Sequence, residues 1–328
     1  YKSGVVSVYE YLENRFDASS RLLISFVFQI SRSVATGVMI YTMALILQAT
    51  VGIDYWLSIL LIGIITLIYS FQGGMKAVIW GDVIQMIILF LGIVICLFFG
   101  LSELGGIEKF FELVDKERLE VVNFDKLGFS NASKNDEFGF WPMLIGGFFL
   151  YASYYGTDQT QSQRLLSSKN MDTIKKLLLA NAIFRFPITL TYCIMGLVLG
   201  TLFYQDPSFQ AMIESVYTTN IGSLEGKRAD LMVPVFIIHY LPSGVIGILI
   251  VAIMSAAMSS LSSTINSLSA VTMEDFVKRF GTNISDKKYV YLSRIISVFW
   301  GLLCLLIAFF TGKIEGTVIE VINKIGSV

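Results

Sequence analysis

The chain has 328 residues and a net charge of −1, with 15% charged and 55% hydrophobic residues. With a mean hydropathy of +0.69, this excludes an ordinary soluble domain and gives no basis for a nucleic-acid partner. The class that fits is a polytopic, all-α membrane protein whose solvent is the lipid bilayer.

The first residues, Tyr1-Lys2-Ser3-Gly4, lead into a polar stretch in which no cleavable signal peptide is expected. Seven apolar stretches can each cross a hydrocarbon core of about 30 Å. They run roughly over 22–50, 55–72, 77–101, 138–160, 177–204, 244–272 and 289–311. Basic residues, among them Lys2, Arg15, Arg21, Lys76, Arg164, Lys278, Lys287 and Lys288, gather on the N-terminal side. The positive-inside rule makes that side cytoplasmic and puts the 102–137 and 205–243 connections outside. Trp56 and Trp141 then open spans at the outer interface, as an aromatic belt does. The reading is one transmembrane domain over 1–328 in the cell membrane. It looks like a fragment, because it starts in a linker and ends at Val328, soon after Gly316 opens another apolar run.

Several chemistries lack their residues. Cys96, Cys193 and Cys304 fall inside spans and read as small buried hydrophobes. The one histidine, His239, lies in an outer connection, and no phosphate-binding glycine loop is present. An intramembrane aspartyl protease needs two carboxylates at depth, and only Asp82 clearly lies within a span. No enzyme and no cofactor is expected, whereas movement of a solute across the membrane is.

In chain order, the first unusual residue is Arg32. A charged side chain near the bilayer centre costs about 2.5–3.5 kcal/mol on insertion scales, so it needs a partner or a wet cavity. Asp82 lies six residues beyond Lys76, roughly 9 Å in from the cytoplasmic side. It is either a cation ligand or a carboxylate hydrated at a helix end. Tyr151, Tyr154 and Tyr155 share one helix face ahead of Gly156-Thr157-Asp158-Gln159. Such a face suits a sugar or a planar acid, and equally an interface anchor. Arg185 sits mid-span, two residues before Pro187, where backbone hydrogen bonding loosens. Arg294, near the start of the last span, reads as snorkelling to the cytoplasmic interface.

The most informative stretch is Ala256-Ala257-Met258-Ser259-Ser260-Leu261-Ser262-Ser263. On a helix Ala256, Ser259, Ser260 and Ser263 share a face, with Ser262 at its edge. A row of hydroxyl and carbonyl oxygens can replace the water shell of a small hard cation. Serines in membrane helices also bond back to the i−4 carbonyl or serve as small packing residues. Ser263 lies roughly 16 Å from the cytoplasmic side, close enough in depth for Asp82 to meet this face. The oxygen-rich site that results would carry one negative charge and suit sodium, with a proton as the competitor.

Four ordered segments resemble the sodium/solute symporter family: Tyr9-Glu10-Tyr11-Leu12-Glu13-Asn14-Arg15-Phe16, Gly73 through Gln85, Gly156 through Arg164, and Ser259 through Met273. The resemblance implies a leucine-transporter-like inverted-repeat bundle, with these spans as core helices three to nine. It implies a sodium ion, the coupling ion, at the Ala256 carbonyl and the Ser259 and Ser260 hydroxyls. A second, present in some members, would use Asp82 with Ser259, Ser262 and Ser263. Tyr154 falls on the family's inner-gate tyrosine. Tyr151 stands where sugar carriers can have asparagine, and Arg185 where they have lysine. With Arg32, these departures favour an organic anion, a carboxylate-bearing solute, over a sugar. The expected activity is sodium-coupled symport by alternating access. A proton-coupled carrier and a transporter-like sensor are the alternatives, and the oligomeric state stays open.

Overall fold

The computed structural model describes residues 7–119, 124, 139–166, 168, 170–218, 228–280 and 285–311, with the backbone alone over 69–81. Among the described residues every regular element is helical. The side chains of Gly73 through Gly81 and the run from Gly316 lie outside the described residues.

Helix starts and stops follow local chemistry. Helix α1 (Val8–Arg15) begins at Ser7, whose hydroxyl accepts from the Tyr9 amide at 3.2 Å. Helix α2 (Ala18–Val51) begins on Asp17, which accepts from the Ser20 amide at 2.7 Å. It ends at Gly52, which takes the left-handed conformation with φ 73° that a side chain would strain. Helices α3 (Tyr55–Glu103) and α4 (Ile107–Leu113) follow. Helix α5 (Phe140–Thr157) stops at the extended residue Asp158, and α6 (Gln159–Leu166) starts immediately after it. Helix α7 (Met171–Gln205), capped by Asn170, runs through Pro187; α8 (Pro207–Val216) has proline in its first turn behind Asp206. After α9 (Met232–Tyr240), α10 (Ser243–Val271) passes into a π-helical turn, Thr272–Val277, and the short α11 (Lys278–Phe280). Helix α12 (Asp286–Thr311) completes the set.

Five of these helices are long and apolar enough to cross a membrane: Ala18–Val51, Asp82–Glu103, Met171–Gln205, Ser243–Phe280 and Asp286–Thr311. Tyr55–Ile68 is apolar but shorter, and the tyrosine-rich Phe140–Thr157 is not among the five. The expected spans 55–72 and 77–101 fall on one helical element. Packing nevertheless sets its two arms side by side. Tyr55 meets the Tyr41 ring at 5.7 Å, and a Cβ at Gly92 would lie 2.1 Å from Leu249. Leu249's neighbour Ile250 shares a cavity with Leu45 and Ile46, one turn from Tyr41. On a straight helix Tyr55 and Gly92 would be about 55 Å apart, so the chain reverses between them.

The scaffold is α2, α3, α10 and α12. Its core joins Phe28, Ile40, Ala44, Ile62, Leu261, Ile265, Trp300 and Leu305. Small residues let the helices approach: a Cβ at Gly37 would come within 2.5 Å of Ile307, and one at Gly63 within 2.3 Å of Leu305. A second core, with Tyr41, Cys96, Leu199, Phe209 and Phe236, closes the opposite end. We call the end that carries α1 inner and the other outer. Trp56 and Trp141 are exposed, and Trp56 stacks on Phe309 at 4.8 Å. Cys96 and Cys304 are buried as expected, whereas Cys193 is exposed on α7.

At the inner end α1 is tied to its neighbours by charge. Glu13 accepts from Arg21 at 2.7 Å and from Arg279 at 2.8 Å. These hydrogen bonds, Arg21 first, hold the Glu13 carboxyl below its ordinary 4.5. A depressed carboxyl pKa contributes stability above the unfolded value and loses it as pH falls through the folded one. Thermal unfolding followed from pH 7 down to 3 should therefore show a shallower acid decline in Glu13→Gln than in the parent.

Candidate functional site

The polar face of α10 is assembled from residues the two readings treated differently. Thr264 bonds back to the Ser260 carbonyl at 3.0 Å and Ser267 to the Ser263 carbonyl at 3.0 Å, as packing serines and threonines do. Ser259, Ser262 and Ser263 are fully buried, yet their hydroxyls are not used in this way. Ser259 donates to Asp82 through a short hydrogen bond. Ser263 accepts from Arg164 Nε at 3.3 Å. Ser262 Oγ is buried with no hydrogen-bond partner among the described residues, an uncommon and costly state for a hydroxyl. Ala256 and Ser260 are half-buried on the same helix.

Asp82 opens the second arm of α3 and meets α10 at Ser259, one of the three serines the resemblance sets beside it. Its other oxygen faces Arg164 Nη2 at 3.3 Å. The sequence places Arg164 among the cations of the cytoplasmic side. It stands between Asp82 and Ser263, with its side chain 33% exposed. Gln163 beside it accepts from Ser267 at 3.0 Å. Helix α6 thus lays a guanidinium over the oxygen cluster, where an added cation would also sit. Its place after the Gly156-Thr157-Asp158-Gln159 break was the available signal, since a polar run re-entering a bundle needs a partner for its charge.

The break itself is built by Asp158, which accepts from the Thr160 amide at 2.8 Å and caps α6. Its second oxygen pairs with Arg32 in a short contact. Arg32 thus has a partner of the kind its depth calls for, and its guanidinium is paired rather than free. The Arg32 guanidinium also lies 5.7 Å from the centre of the Tyr154 ring, and Gln161 donates to the Tyr154 hydroxyl at 2.6 Å.

Tyr151, Tyr155 and Arg185 form a separate group between α5 and α7. Arg185 lies 4.6 Å from the centre of the Tyr151 ring and donates to the Tyr155 hydroxyl at 3.3 Å. Asn181, one turn before Arg185 and not foreseen, donates to the same hydroxyl at 2.8 Å. On this face Tyr151 is exposed and Tyr155 half-buried. The five expected substrate residues therefore divide: Tyr154 with Arg32 at the break, and Tyr151 and Tyr155 with Arg185 above it. Tyr154 and Tyr155 connect the two groups through rings 5.5 Å apart.

This arrangement has known relatives. The chain is 31% identical to the human sodium/iodide cotransporter over 321 residues, covering 98% of this chain and 47% of that protein. It is 31% identical to the sodium-dependent multivitamin transporter of Oryctolagus cuniculus over 333 residues, covering 100% and 49%. With sodium-coupled monocarboxylate transporter 2 of Mus musculus it shares 29% identity over 324 residues, 98% and 49% of the two chains. The chain thus spans about half the length of the curated relatives it matches. A solved Na+-coupled sialic acid symporter, substrate-bound and outward-open, superposes with a TM-score of 0.79 at 27% identity, over 94% of this chain and 62% of that one. Its leucine-transporter-like architecture is the one expected here. The sequence profile of the sodium:solute symporter family matches residues 1–328, and with the shared fold this makes the chain a member of that family.

Proposed function

We propose that this chain forms the core of a sodium-coupled symporter that carries a small, carboxylate-bearing solute by alternating access. The observation that carries the reading is the meeting of Asp82 with the buried hydroxyls of α10 through Ser259. One sodium ion would use the Ala256 carbonyl with Ser259 and Ser260. A second would use Asp82 with Ser259, Ser262 and Ser263, and the unpartnered Ser262 hydroxyl supports it. That second ion requires Arg164 to move away from the carboxylate. Each ion entering down 100 mV would add about 2.3 kcal/mol of drive.

For the solute, Arg185 is the available anion ligand. Its neighbours are phenols and an amide with no carboxylate among them, unlike Arg32. A guanidinium held by ring and hydroxyl contacts keeps donors free for a bidentate carboxylate.

The test is uptake into proteoliposomes holding the protein, over a panel of carboxylates and sugars. Replacing sodium by choline should abolish accumulation of the transported acid, and an imposed proton gradient should not restore it. Losing a charge-assisted contact in Arg185→Ala should raise KM for that acid about 10- to 100-fold, with sodium activation unchanged. Uptake that follows pH and ignores sodium would instead establish the proton-coupled carrier.

A further inference from the structure

Most arginines within the membrane helices have partners. Arg21 pairs with Asp275, Arg32 with Asp158, and Arg185 with the Tyr155 hydroxyl. Arg294 is different: among the described residues, no hydrogen bond or ion pair holds it. Helix α12 starts at Asp286, earlier than expected, so Arg294 lies eight positions in, about 12 Å along the helix. Its side chain is exposed, so an anion at the inner interface can reach it.

The surroundings are shaped for one. Arg294 lines a cavity of about 220 Å³ between α3, α10 and α12, together with Asn266, Tyr289, Ser293, Ser297 and Leu67. An amide, a phenol and two serine hydroxyls therefore face the same space as the guanidinium. Ser297 donates to the Ser293 carbonyl at 2.9 Å, a local bond that a stronger acceptor can replace. Glu274 on this side accepts from Tyr289 at 2.8 Å and is neutralised by Lys278 at 2.7 Å. Lys287, two turns before Arg294 on the same face, and Lys288 add exposed positive charge at the inner end.

Toward the middle of the bundle the chemistry changes abruptly. Ile295, Phe299 and Leu302 on α12, and Ile64 and Ile68 on α3, are all exposed apolar side chains. A free anion has no use for these flanks, whereas acyl chains do. We infer that this cavity binds the phosphate of an anionic phospholipid of the inner leaflet. Arg294 and the Ser297 hydroxyl would hold the phosphate oxygens, and the acyl chains would lie along the exposed faces of α12 and α3.

The experiment is native mass spectrometry and thermal unfolding of the purified protein with phosphatidylglycerol, phosphatidylcholine or inorganic phosphate. Phosphatidylglycerol should be retained about tenfold or more over phosphatidylcholine and should raise the Tm. Arg294→Ala should bring the two lipids to parity, and Arg294→Lys should keep part of the preference. Ser297→Leu fills the cavity without removing the charge, so it should also abolish retention and serves if Arg294→Ala does not fold. An undiminished preference in Arg294→Ala or Ser297→Leu overturns the site. So does a preference lost wholly in the Lys287→Ala/Lys288→Ala double variant, which would mark diffuse surface charge. Stabilisation by inorganic phosphate equal to that by the lipid overturns the assignment to a phospholipid.

Discussion

Asp82→Asn is expected to weaken sodium activation of transport about 10- to 100-fold and to reduce the charge moved per solute. Among the described residues the carboxylate is the one negative group on the oxygen cluster, and Ser259 donates to it directly. Asparagine keeps the shape and removes the charge, so a packing role would leave sodium dependence where it was. Arg164→Ala provides the opposite sign. Arg164 now supplies the positive charge beside Asp82 at 3.3 Å and also holds Ser263. Without it the second cation has no resident competitor, and apparent sodium affinity should rise. Ser260→Ala touches only the first proposed ion and should depress activation without changing charge per solute in the same way. Measuring sodium activation curves and charge-to-solute ratios for the three variants separates the sites. If Asp82→Asn and Arg164→Ala shift sodium affinity in the same direction, the competition between guanidinium and cation is absent.

How far the sequence carries this site depends on which residues one considers. The α10 hydroxyl row was legible because helical spacing alone aligns Ser259 and Ser263, and depth counting brought Asp82 to it. The break before α6 was legible in Gly156 and Asp158. Arg164 was not, because nothing local distinguishes an arginine in a cytoplasmic loop from one folded 82 residues away onto a carboxylate. The partner of Arg32 is hidden for a related reason: Asp158 is 126 positions distant, and without that pairing Arg32 resembles a free anion ligand. The reversal within α3 was foreseen as a gap between two apolar runs, yet the backbone stays helical across it. Charges whose partners lie far along the chain are what periodicity leaves out.

The same blindness hid a buried ion pair. Arg21 counts in the sequence only as an inner-face cation and nothing singles out Asp275, but the two are buried against each other. Asp275 is 0% exposed and accepts from Arg21 Nε at 2.8 Å and Nη2 at 2.5 Å, from Ser25 at 2.6 Å and from Ser7 at 3.0 Å. The π-helical turn Thr272–Val277 carries this carboxylate, and Thr272 in the same turn accepts from Trp300 at 2.9 Å and Gln29 at 3.0 Å. One turn of backbone thus joins α1, α2, α10 and α12. Removing one member of a buried pair leaves the other charged and uncompensated, so Asp275→Ala should cost about 3–5 kcal/mol. Replacing both partners by apolar residues, Arg21→Met with Asp275→Leu, should cost less than Asp275→Ala alone, because no buried charge remains. Unfolding of the three proteins under one set of conditions decides the matter. A double variant at least as unstable as the single one would mean that the hydrogen bonds from Ser7 and Ser25, rather than the ion pair, carry the inner junction.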